Sequence, residues 1–387
     1  MRTINDTIIK EFITAGTSEP AVTIYAPMHT TASPQHVSQN QRRLKKLIHA
    51  ASAKLTKEYG ASNPLIAELA SWHDLHQDDM DFWNSQTTGF LLCAQQRQVH
   101  WFNLPIETDE YIAVDTSLHL APVLAMLVHD QEYYVLTVDQ HSPKLFKGNA
   151  YELRMSPIAL PASLDAALGI DEVGQKGESQ GSASGSSLNT GLFNGRGGNR
   201  DPHEEDRHKF FRMIDRLICD KDKVRLPLIL AGTISETSEY RALSKYPHLA
   251  HKTINGSHSD NNMEALHRQA LDIIDQELIQ PARQAALEEY RQLEGVTPQK
   301  VAGDVESIAI ATREGRVATL LTSMSSETAD SIQDGLQPVH KISLPAGEKG
   351  KLLNNLALKV WQMRGTVINL RPQDMPGGAS MVAQLRY

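Results

Sequence analysis

The chain has 387 residues, of which 40% are hydrophobic and 22% are charged, a composition typical of globular proteins with more than one domain. Its formal net charge of −8 disfavours a protein that binds any nucleic acid regardless of sequence, although a local basic patch can still contact RNA. Two cysteines, Cys93 and Cys219, exclude a disulfide scaffold and a multi-cysteine zinc site, and they favour a cytoplasmic location. The N-terminal residues 1–6 have no apolar run after the charged Arg2, so no signal peptide is expected, and the longest apolar run, 120–128, is too short for a membrane span.

Residues 1–128 are predicted to form an N-terminal α/β domain. A short strand at 21–25 precedes a helix over 38–58, and later elements are a helix at 65–72 and strands at 89–94 and 99–103. The first helix has one apolar stripe at helical spacing, formed by Leu44, Leu47, Ile48, Ala51 and Leu55. Off this stripe lie four candidate RNA-binding cations: Arg42, Arg43, Lys45 and Lys46. This cluster fits either contact with RNA phosphates or an ordinary solvated helix face.

Residues 129–256 are predicted to form a second, middle domain. β-branched and aromatic residues at 133–138, a turn, and a second run at 144–148 are typical of a β-hairpin. Gly, Ser, Asn and Gln dominate 174–198, which predicts a flexible loop. A helix that begins near Pro202 is expected to bury five residues: Phe210, Phe211, Ile214, Leu217 and Ile218.

Residues 257–387 are predicted to form the third domain. A long helix over 260–293 is expected to be kinked or interrupted at Pro281, and a helix at 304–313 to stop at Gly315. A strand at 317–321, a helix at 350–364 and strands at 366–370 and 381–387 complete the domain. The apolar residues of the 350–364 helix are Leu352, Leu353, Leu356, Val360 and Trp361. The alternation of helices and strands along the chain predicts an α/β layered fold.

The most distinctive stretch is Gly195-Arg196-Gly197-Gly198-Asn199. A Gly-Gly pair reaches backbone angles closed to other residues and lets a ligand approach the main chain closely. Asp201 and Pro202 follow, an N-cap and first helical residue in sequence terms. The pattern therefore predicts a glycine-rich loop tip at 195–199, which we call the glycine tip, directly before the start of a helix.

Several fragments in order resemble the archaeo-eukaryotic peptide chain release factor and Pelota family, in its bacterial branch. They are YYVLTVDQHSPKLFKG at 133–148, GRGGN at 195–199 before a helix with RHKFFRMID, LPLILAG at 226–232, EGRVATLLTS at 314–323 and GGASMVAQLRY at 377–387. The resemblance implies an N-terminal α/β domain, an RNase H-like middle domain without nuclease chemistry, and an L7Ae-like C-terminal α/β sandwich. It also implies the ribosome, rRNA and peptidyl-tRNA as partners, with a translational GTPase to deliver the protein, and no cofactor, metal or membrane.

The resemblance assigns a role to the glycine tip. In release factors a Gly-Gly-Gln tip enters the peptidyl transferase centre and promotes attack of water on the peptidyl-tRNA ester. Gly197 and Gly198 match the two glycines, Asn199 stands where the family has Gln, and Arg196 is expected to contact RNA. Asn is one methylene shorter than Gln, so its amide reaches about 1.5 Å less far. Acidic residues crowd the following turn, where the family is basic: Asp201, Glu204, Glu205 and Asp206.

Two functions are therefore open. The first is a ribosome-associated translation factor that promotes peptidyl-tRNA hydrolysis in termination or ribosome rescue. The second is a non-catalytic ribosome- or RNA-binding factor used in stress or hibernation. SQNQRRLKK replaces the family's Asn-Ile-Lys-Ser motif for stop codons, so stop-codon decoding is not expected. A third alternative is an unrelated cytosolic enzyme that reuses the fold, although no Walker loop, dinucleotide fingerprint or Gly-x-Ser-x-Gly elbow is present.

Overall fold

The computed structural model describes residues 4, 6–14, 19–30, 33–127, 131–139, 142–164, 202–256, 263–324, 342–345 and 347–387. The chain divides into two compact units. Unit 1 combines Met1–Asp130 with Gln280–Tyr387, and unit 2 is Gln131–Ile279. Helices pack on three sheets, so the predicted α/β class is confirmed. None of the helices in the described ranges is long and apolar enough to cross a membrane.

The N-terminal part of unit 1 contains a four-stranded antiparallel sheet in the order β3-β2-β1-β4. Successive side chains of a strand point to opposite faces, and both faces of this sheet are covered. Ile24 and Leu92 pack against α2, whereas Tyr25 and Leu91 belong to a second core. The elements are α1 (Asp6–Thr14), β1 (Ala21–Pro27), α2 (Pro34–Tyr59), α3 (Pro64–His76), α4 (Met80–Asn84), β2 (Gly89–Gln95), β3 (Gln98–Leu104), β4 (Tyr111–Asp115) and α5 (Ala121–Leu127).

Helix α2 begins at Pro34, earlier than the predicted position 38. Ser33 explains the earlier start, because its Oγ accepts a hydrogen bond from the backbone N–H of His36 at 3.2 Å. Pro34 also suits the first helical position, where its missing N–H has no partner to lose. The predicted stripe is confirmed, since the structure buries Leu44, Leu47, Ile48, Ala51 and Leu55.

Unit 2 has a five-stranded sheet in the order β7-β6-β5-β8-β9. The hairpin strands β5 and β6 are antiparallel, whereas β5, β8 and β9 run parallel. Tyr134 and Leu136 face α6 and α7, and Tyr133 and Val135 face α8. The elements are β5 (Tyr133–Val138), β6 (Lys144–Gly148), β7 (Leu153–Met155), α6 (Pro202–Lys221), β8 (Leu228–Gly232), α7 (Ile234–Leu243), β9 (Leu249–Asn255) and α8 (Met263–Ile274).

A π-helical turn at Asp275–Ile279 ends unit 2 and confirms the predicted interruption near Pro281. Proline has no N–H to offer the carbonyl of Glu277, four residues before it, which disfavours a regular α-helix there. The turn also has a role of its own. The Glu277 carboxylate accepts hydrogen bonds from the backbone N–H groups of His251, at 2.8 Å, and Lys252, at 2.5 Å, on the edge strand β9.

The C-terminal part of unit 1 has a second sheet in the order β10-β13-β11-β12, in which β11 and β12 are parallel. Gly315 has a φ of +71°, which suits glycine at the predicted end of the helix before it. Leu352, one of the apolar residues of the 350–364 helix, is 39% exposed, because it lies off the helix face that carries Leu353 and Leu356. The elements are α9 (Gln280–Val296), β10 (Val301–Ala302), α10 (Val305–Arg313), β11 (Val317–Thr322), α11 (Glu348–Gln362), β12 (Thr366–Asn369) and β13 (Met381–Leu385).

The two parts of unit 1 share one hydrophobic core. Leu120 and Val123 from the first part lie in the same cluster as Leu320 and Leu353 from the second. The fully buried Asn354 of α11 donates to the Leu118 carbonyl and accepts from the Ala121 N–H, each at 3.1 Å. The predicted domains 1–128 and 257–387 therefore meet in a common core. The division into three domains with boundaries at 128 and 256 stays a prediction, as do the RNase H-like and L7Ae-like assignments.

Candidate functional site

The predicted catalytic residues Gly197, Gly198 and Asn199, together with Arg196, lie outside the residues that the structure describes. The predicted helix cap at Asp201 and the predicted flexible loop at 174–198 also lie outside them. The structure describes the chain again from Pro202, the first residue of α6. Two regions are therefore described separately: the helix that follows the loop, in unit 2, and the basic helix α2, in unit 1.

The first turns of α6 are tied to α7 by one carboxylate. Glu239 accepts from Arg207 Nε at 2.9 Å with Oε1 and at 2.8 Å with Oε2, and its Oε1 lies 3.0 Å from His208 Nε2. Hydrogen bonding to Glu239 raises the pKa of the Arg207 guanidinium further. In the same turn Glu204 and Glu205 are exposed. The helix that follows the loop thus presents acidic groups to solvent, while Glu239 holds two of its basic groups.

The middle of α6 is anchored by a buried carboxylate that the sequence did not predict. Asp215 is 5% exposed and accepts hydrogen bonds from Ser244 Oγ at 2.5 Å, from Lys245 N at 2.9 Å and from Tyr240 OH at 3.3 Å. Four of the five residues expected to be buried on this helix are buried, and Leu217 is half-buried. These contacts fix the position of α6, the helix that follows the loop.

The four candidate cations lie on the third and fourth turns of α2, on the side away from its buried stripe. Between Pro34 and Lys57 this helix contains no Asp or Glu. Arg42, Lys45, Lys46 and His49 are exposed, at the spacing i, i+3, i+4 and i+7 that brings side chains to one helix face. We call these four residues the basic stripe. With the described residues, Arg42 and Lys45 form no ion pair.

Arg43 and Lys46 are engaged by Glu110, which immediately precedes β4. Glu110 Oε1 lies 3.3 Å from Arg43 Nε, and Oε2 lies 3.0 Å from Lys46 Nζ. Arg43 also donates from Nη1 to the Pro27 carbonyl at 2.8 Å. The structure therefore separates the four predicted cations into two available groups and two paired ones. Neither Glu110 nor Glu239 could be found from sequence, because each partner lies on a distant element.

A small cavity of about 160 Å³ opens at the carboxyl ends of β5, β8 and β9. Asp139 and Glu236 contribute its carboxylates. Asp139 Oδ2 accepts from Ser142 Oγ at 3.3 Å within the hairpin turn, and Glu236 Oε2 accepts from Thr233 Oγ1 at 2.7 Å in a helix cap. Ordinary small-molecule pockets occupy about 300–1,000 Å³, and we assign this cavity no ligand.

A buried imidazole lies beside the carboxylate of Asp115, which pairs with the second part of unit 1. His119 is 3% exposed; its Nδ1 lies 2.7 Å from Tyr111 OH and its Nε2 lies 3.3 Å from Asp115 Oδ2. Lys351 of α11 pairs with the other carboxylate oxygen of Asp115 at 3.0 Å. Burial lowers the pKa of His119, although its hydrogen bond to Asp115 acts in the opposite direction. The neutral imidazole with its proton on Nε2 satisfies both contacts.

In the described part of the chain, no group of three or more His, Cys, Asp or Glu side chains is placed to hold a metal ion. His73 and His76 stand near several aspartates in sequence. In the structure His73 Nδ1 lies 3.4 Å from Asp74 Oδ1, and His76 Nδ1 lies 2.9 Å from the Trp72 carbonyl oxygen. His76 also stacks on the Trp72 ring. These contacts are local to the end of α3.

Residues 132–316 match the family model described as bacterial archaeo-eukaryotic release factor family 3. The matched segment begins one residue after the start of unit 2 and includes both the GRGGN loop and α6. A comparison with curated protein sequences found no match.

Three solved structures are similar to this chain at low identity. An archaeal translation termination factor, aRF1, is 13% identical, with 100% of this chain and 99% of that chain covered and a TM-score of 0.25. Pelota from Archaeoglobus fulgidus is 15% identical, with 77% and 79% covered and a TM-score of 0.34. Dom34 of S. cerevisiae, a translation termination-like factor that interacts with Hbs1, is 9% identical, with 80% and 81% covered and a TM-score of 0.33.

These whole-chain superpositions are loose, so the assignment rests on the matched segment. That segment contains the same fragments, from the hairpin at 133–148 to the start of 314–323, that carry the resemblance in sequence. Over residues 132–316, just under half of its length, the chain is therefore similar to the bacterial archaeo-eukaryotic release factor family 3.

Proposed function

We propose that this protein is a release-factor-type translation factor that acts on the ribosome, where its Gly197-Gly198-Asn199 tip promotes hydrolysis of peptidyl-tRNA in termination or rescue. The observation that carries the proposal is the match of 132–316 to a release factor family across the segment that contains this tip. The partners are the ribosome, its rRNA and peptidyl-tRNA.

The reaction requires mainly that the protein position its groups around the ester. Water attacks the ester carbonyl, and negative charge develops on the carbonyl oxygen in the tetrahedral transition state. A backbone N–H aimed at that oxygen stabilises the charge, and the N–H of residue 199 is the group we assign to it. Gly197 and Gly198 allow the backbone to approach, and the Asn199 amide orients the water.

The basic stripe on α2 supports the ribosome-binding half of the proposal. Its cations are exposed on a helix that has no acidic residue before Glu58. Each phosphate that such a group neutralises releases counterions, which gives affinity without sequence preference. We assign rRNA phosphate contact to Arg42, Arg43, Lys45 and Lys46, and phosphate contact near the tip to Arg196.

A peptide-release assay tests the catalytic half. Purified protein is mixed with ribosomes that carry labelled peptidyl-tRNA, and we expect release of the labelled peptide. Gly197→Ala/Gly198→Ala should lower the rate by about a hundredfold, because a small misplacement of reacting groups has that effect. Gly191→Ala, in the same glycine-rich tract but outside the motif, is the matched control. Unchanged release in the double variant would contradict catalysis by this tip.

The second candidate function is a non-catalytic ribosome- or RNA-binding factor. Two features favour it: the shorter Asn199 in place of Gln, and the exposed Glu204 and Glu205 in the first turn of α6, which repel phosphates. It predicts co-sedimentation with ribosomes without peptide release. Asn199→Gln separates the two functions, because a catalytic tip should gain activity from the longer side chain and a binding factor should gain none. A translational GTPase partner and a cytoplasmic location stay predictions from the resemblance.

A further inference from the structure

Glu110 binds two cations of α2 in the manner of a phosphate group. Its two carboxylate oxygens lie 3.3 Å from Arg43 Nε and 3.0 Å from Lys46 Nζ, one cation to each oxygen. Two non-bridging oxygens of a phosphate offer the same two acceptors. Glu110 is 36% exposed, so an incoming anion can reach the groups that it holds.

The two paired cations differ in how firmly they are held. Arg43 is 24% exposed and is also fixed through its hydrogen bond to the Pro27 carbonyl, whereas Lys46 is 72% exposed and belongs to the basic stripe. Exposed ion pairs are weak, each worth at most about a fivefold change in an equilibrium. A phosphate can therefore displace Glu110 from Lys46 with only a small loss of free energy.

We propose that Glu110 competes with RNA phosphate for Arg43 and Lys46 and thereby limits the affinity of α2 for an RNA backbone. The proposal rests on the RNA contact assigned to α2 under the proposed function. In the free protein the carboxylate occupies two of the four cations, so only Arg42 and Lys45 are available at first contact. When phosphate replaces the carboxylate, all four cations face the RNA, and the released Glu110 carboxylate lies next to the new phosphate and repels it.

The binding of a labelled single-stranded oligouridine to the full-length protein, measured over a salt series, tests this inference. Glu110→Gln removes the competing charge and keeps the shape of the side chain. We expect this variant to bind about three- to tenfold more tightly than wild type, from the loss of two weak pairs. For this variant, the slope of log K against log salt concentration should become more negative by about 0.7–1.4. This is the change expected from one to two more phosphate contacts on a single strand.

Glu58→Gln is the matched control, because it makes the same change in net charge on an exposed acid at the end of α2. Its affinity should change less than twofold. Equal affinities for Glu110→Gln and Glu58→Gln would overturn the proposal, and weaker binding by Glu110→Gln would show instead that the carboxylate orients Arg43 and Lys46 for RNA. Glu110→Ala provides a second variant if the Gln amide pairs with the same cations.

Arg42→Ala/Lys45→Ala tests the underlying RNA contact separately. If this variant binds oligouridine as well as wild type, the contact assigned to α2 is wrong, whatever Glu110 does. If it binds more weakly while Glu110→Gln behaves like Glu58→Gln, the contact stands and only the competition fails.

Discussion

The basic stripe of α2 and the first two turns of α6 use charge in opposite ways. On α2 Arg42, Lys45 and Lys46 face solvent, and Glu110 engages Lys46 together with the less exposed Arg43. On α6 the acids Glu204 and Glu205 face solvent, whereas Arg207 and His208 are both held by Glu239. Both helices contain many basic residues in sequence, so a count of Lys and Arg does not distinguish them.

The difference teaches that availability, and not the number of cations, decides where a polyanion binds. A cation that already has a carboxylate partner must lose that pair before it can neutralise a phosphate. The chain as a whole carries a net charge of −8. We therefore expect α2 to supply most of the phosphate affinity and the beginning of α6 to oppose it. Three measurements can break or sharpen this contrast, and a fourth tests a buried base elsewhere in the fold.

The largest effect is expected from Glu239→Ala. The change leaves the Arg207 guanidinium without its two-oxygen partner at a site that is only 30% exposed, and it also frees His208. Loss of hydrogen bonds to a charged group should lower the free energy of unfolding of unit 2 by about 2 kcal/mol. Hydrogen exchange of the α6 amides measures this loss. Glu205→Ala, at an exposed acid, is the control, and equal exchange in both variants would contradict the anchoring role of Glu239.

The next largest effect is expected from Arg42→Ala/Lys45→Ala. Removal of two available cations should weaken oligouridine binding about tenfold at low salt and reduce the salt dependence of log K by about 1.4. Arg212→Ala/Arg216→Ala makes the same change in charge at exposed positions of α6. If both double variants lose affinity equally, the contrast between the two helices is wrong.

A smaller effect is expected from Glu204→Gln/Glu205→Gln. These exposed acids act on RNA through a field that salt screens over about 10 Å at 0.1 M. Their neutralisation should strengthen oligouridine binding about twofold, and the gain should vanish at high salt. A salt titration by fluorescence anisotropy checks this expectation. Weaker binding after neutralisation would show that the acids do not oppose the RNA.

The smallest effect concerns His119, a buried base whose charge the fold suppresses. Burial lowers its pKa from the usual value of 6.5. Below that pH the unfolded chain binds a proton that the folded chain does not, so the stability that His119 contributes is complete above pH 6.5 and falls as the pH drops. Urea unfolding at pH 7.5 and 5.5 measures the free energy of unfolding. Between these two pH values it should fall less in His119→Gln than in wild type. The exposed His49→Gln should decline like wild type, and the reverse order would contradict this account.

Long periodic elements were predictable from the sequence. The stripe from Leu44 to Leu55 marks α2 because five apolar positions recur at helical spacing, and the hairpin at 133–148 is marked by β-branched and aromatic runs about a turn. Helix α7 was missed because it buries little, only Thr237 and Tyr240. The start of this helix could have been predicted from the Thr-x-x-Glu capping box at Thr233 and Glu236.

The partners that define the two charged helices could not be predicted. Glu110 lies 64 residues from Lys46, and Glu239 lies 32 residues from Arg207, so no local pattern joins them. The common core of unit 1 could not be predicted for the same reason, since Asn354 and Leu118 are 236 residues apart. The glycine tip was found by its composition and its resemblance, and its geometry lies outside the described residues.

The common core of unit 1 has a consequence for synthesis of the chain. Among the described residues, both cores of unit 2 draw on positions between 133 and 279, so this unit can close as soon as it leaves the ribosome. The core that contains Leu120 also needs Leu385, which is translated on the order of 10–50 s later at about 5–20 residues per second. The face of the first sheet that belongs to this core must therefore wait, with its apolar surface uncovered, until the last strand is made. Among the described residues, the core on the opposite face draws on positions 22–114 alone and can form earlier. A message truncated before residue 385 should yield a protein whose middle is folded and whose first sheet leaves the face that carries Tyr25 and Leu91 open to proteases and chaperones.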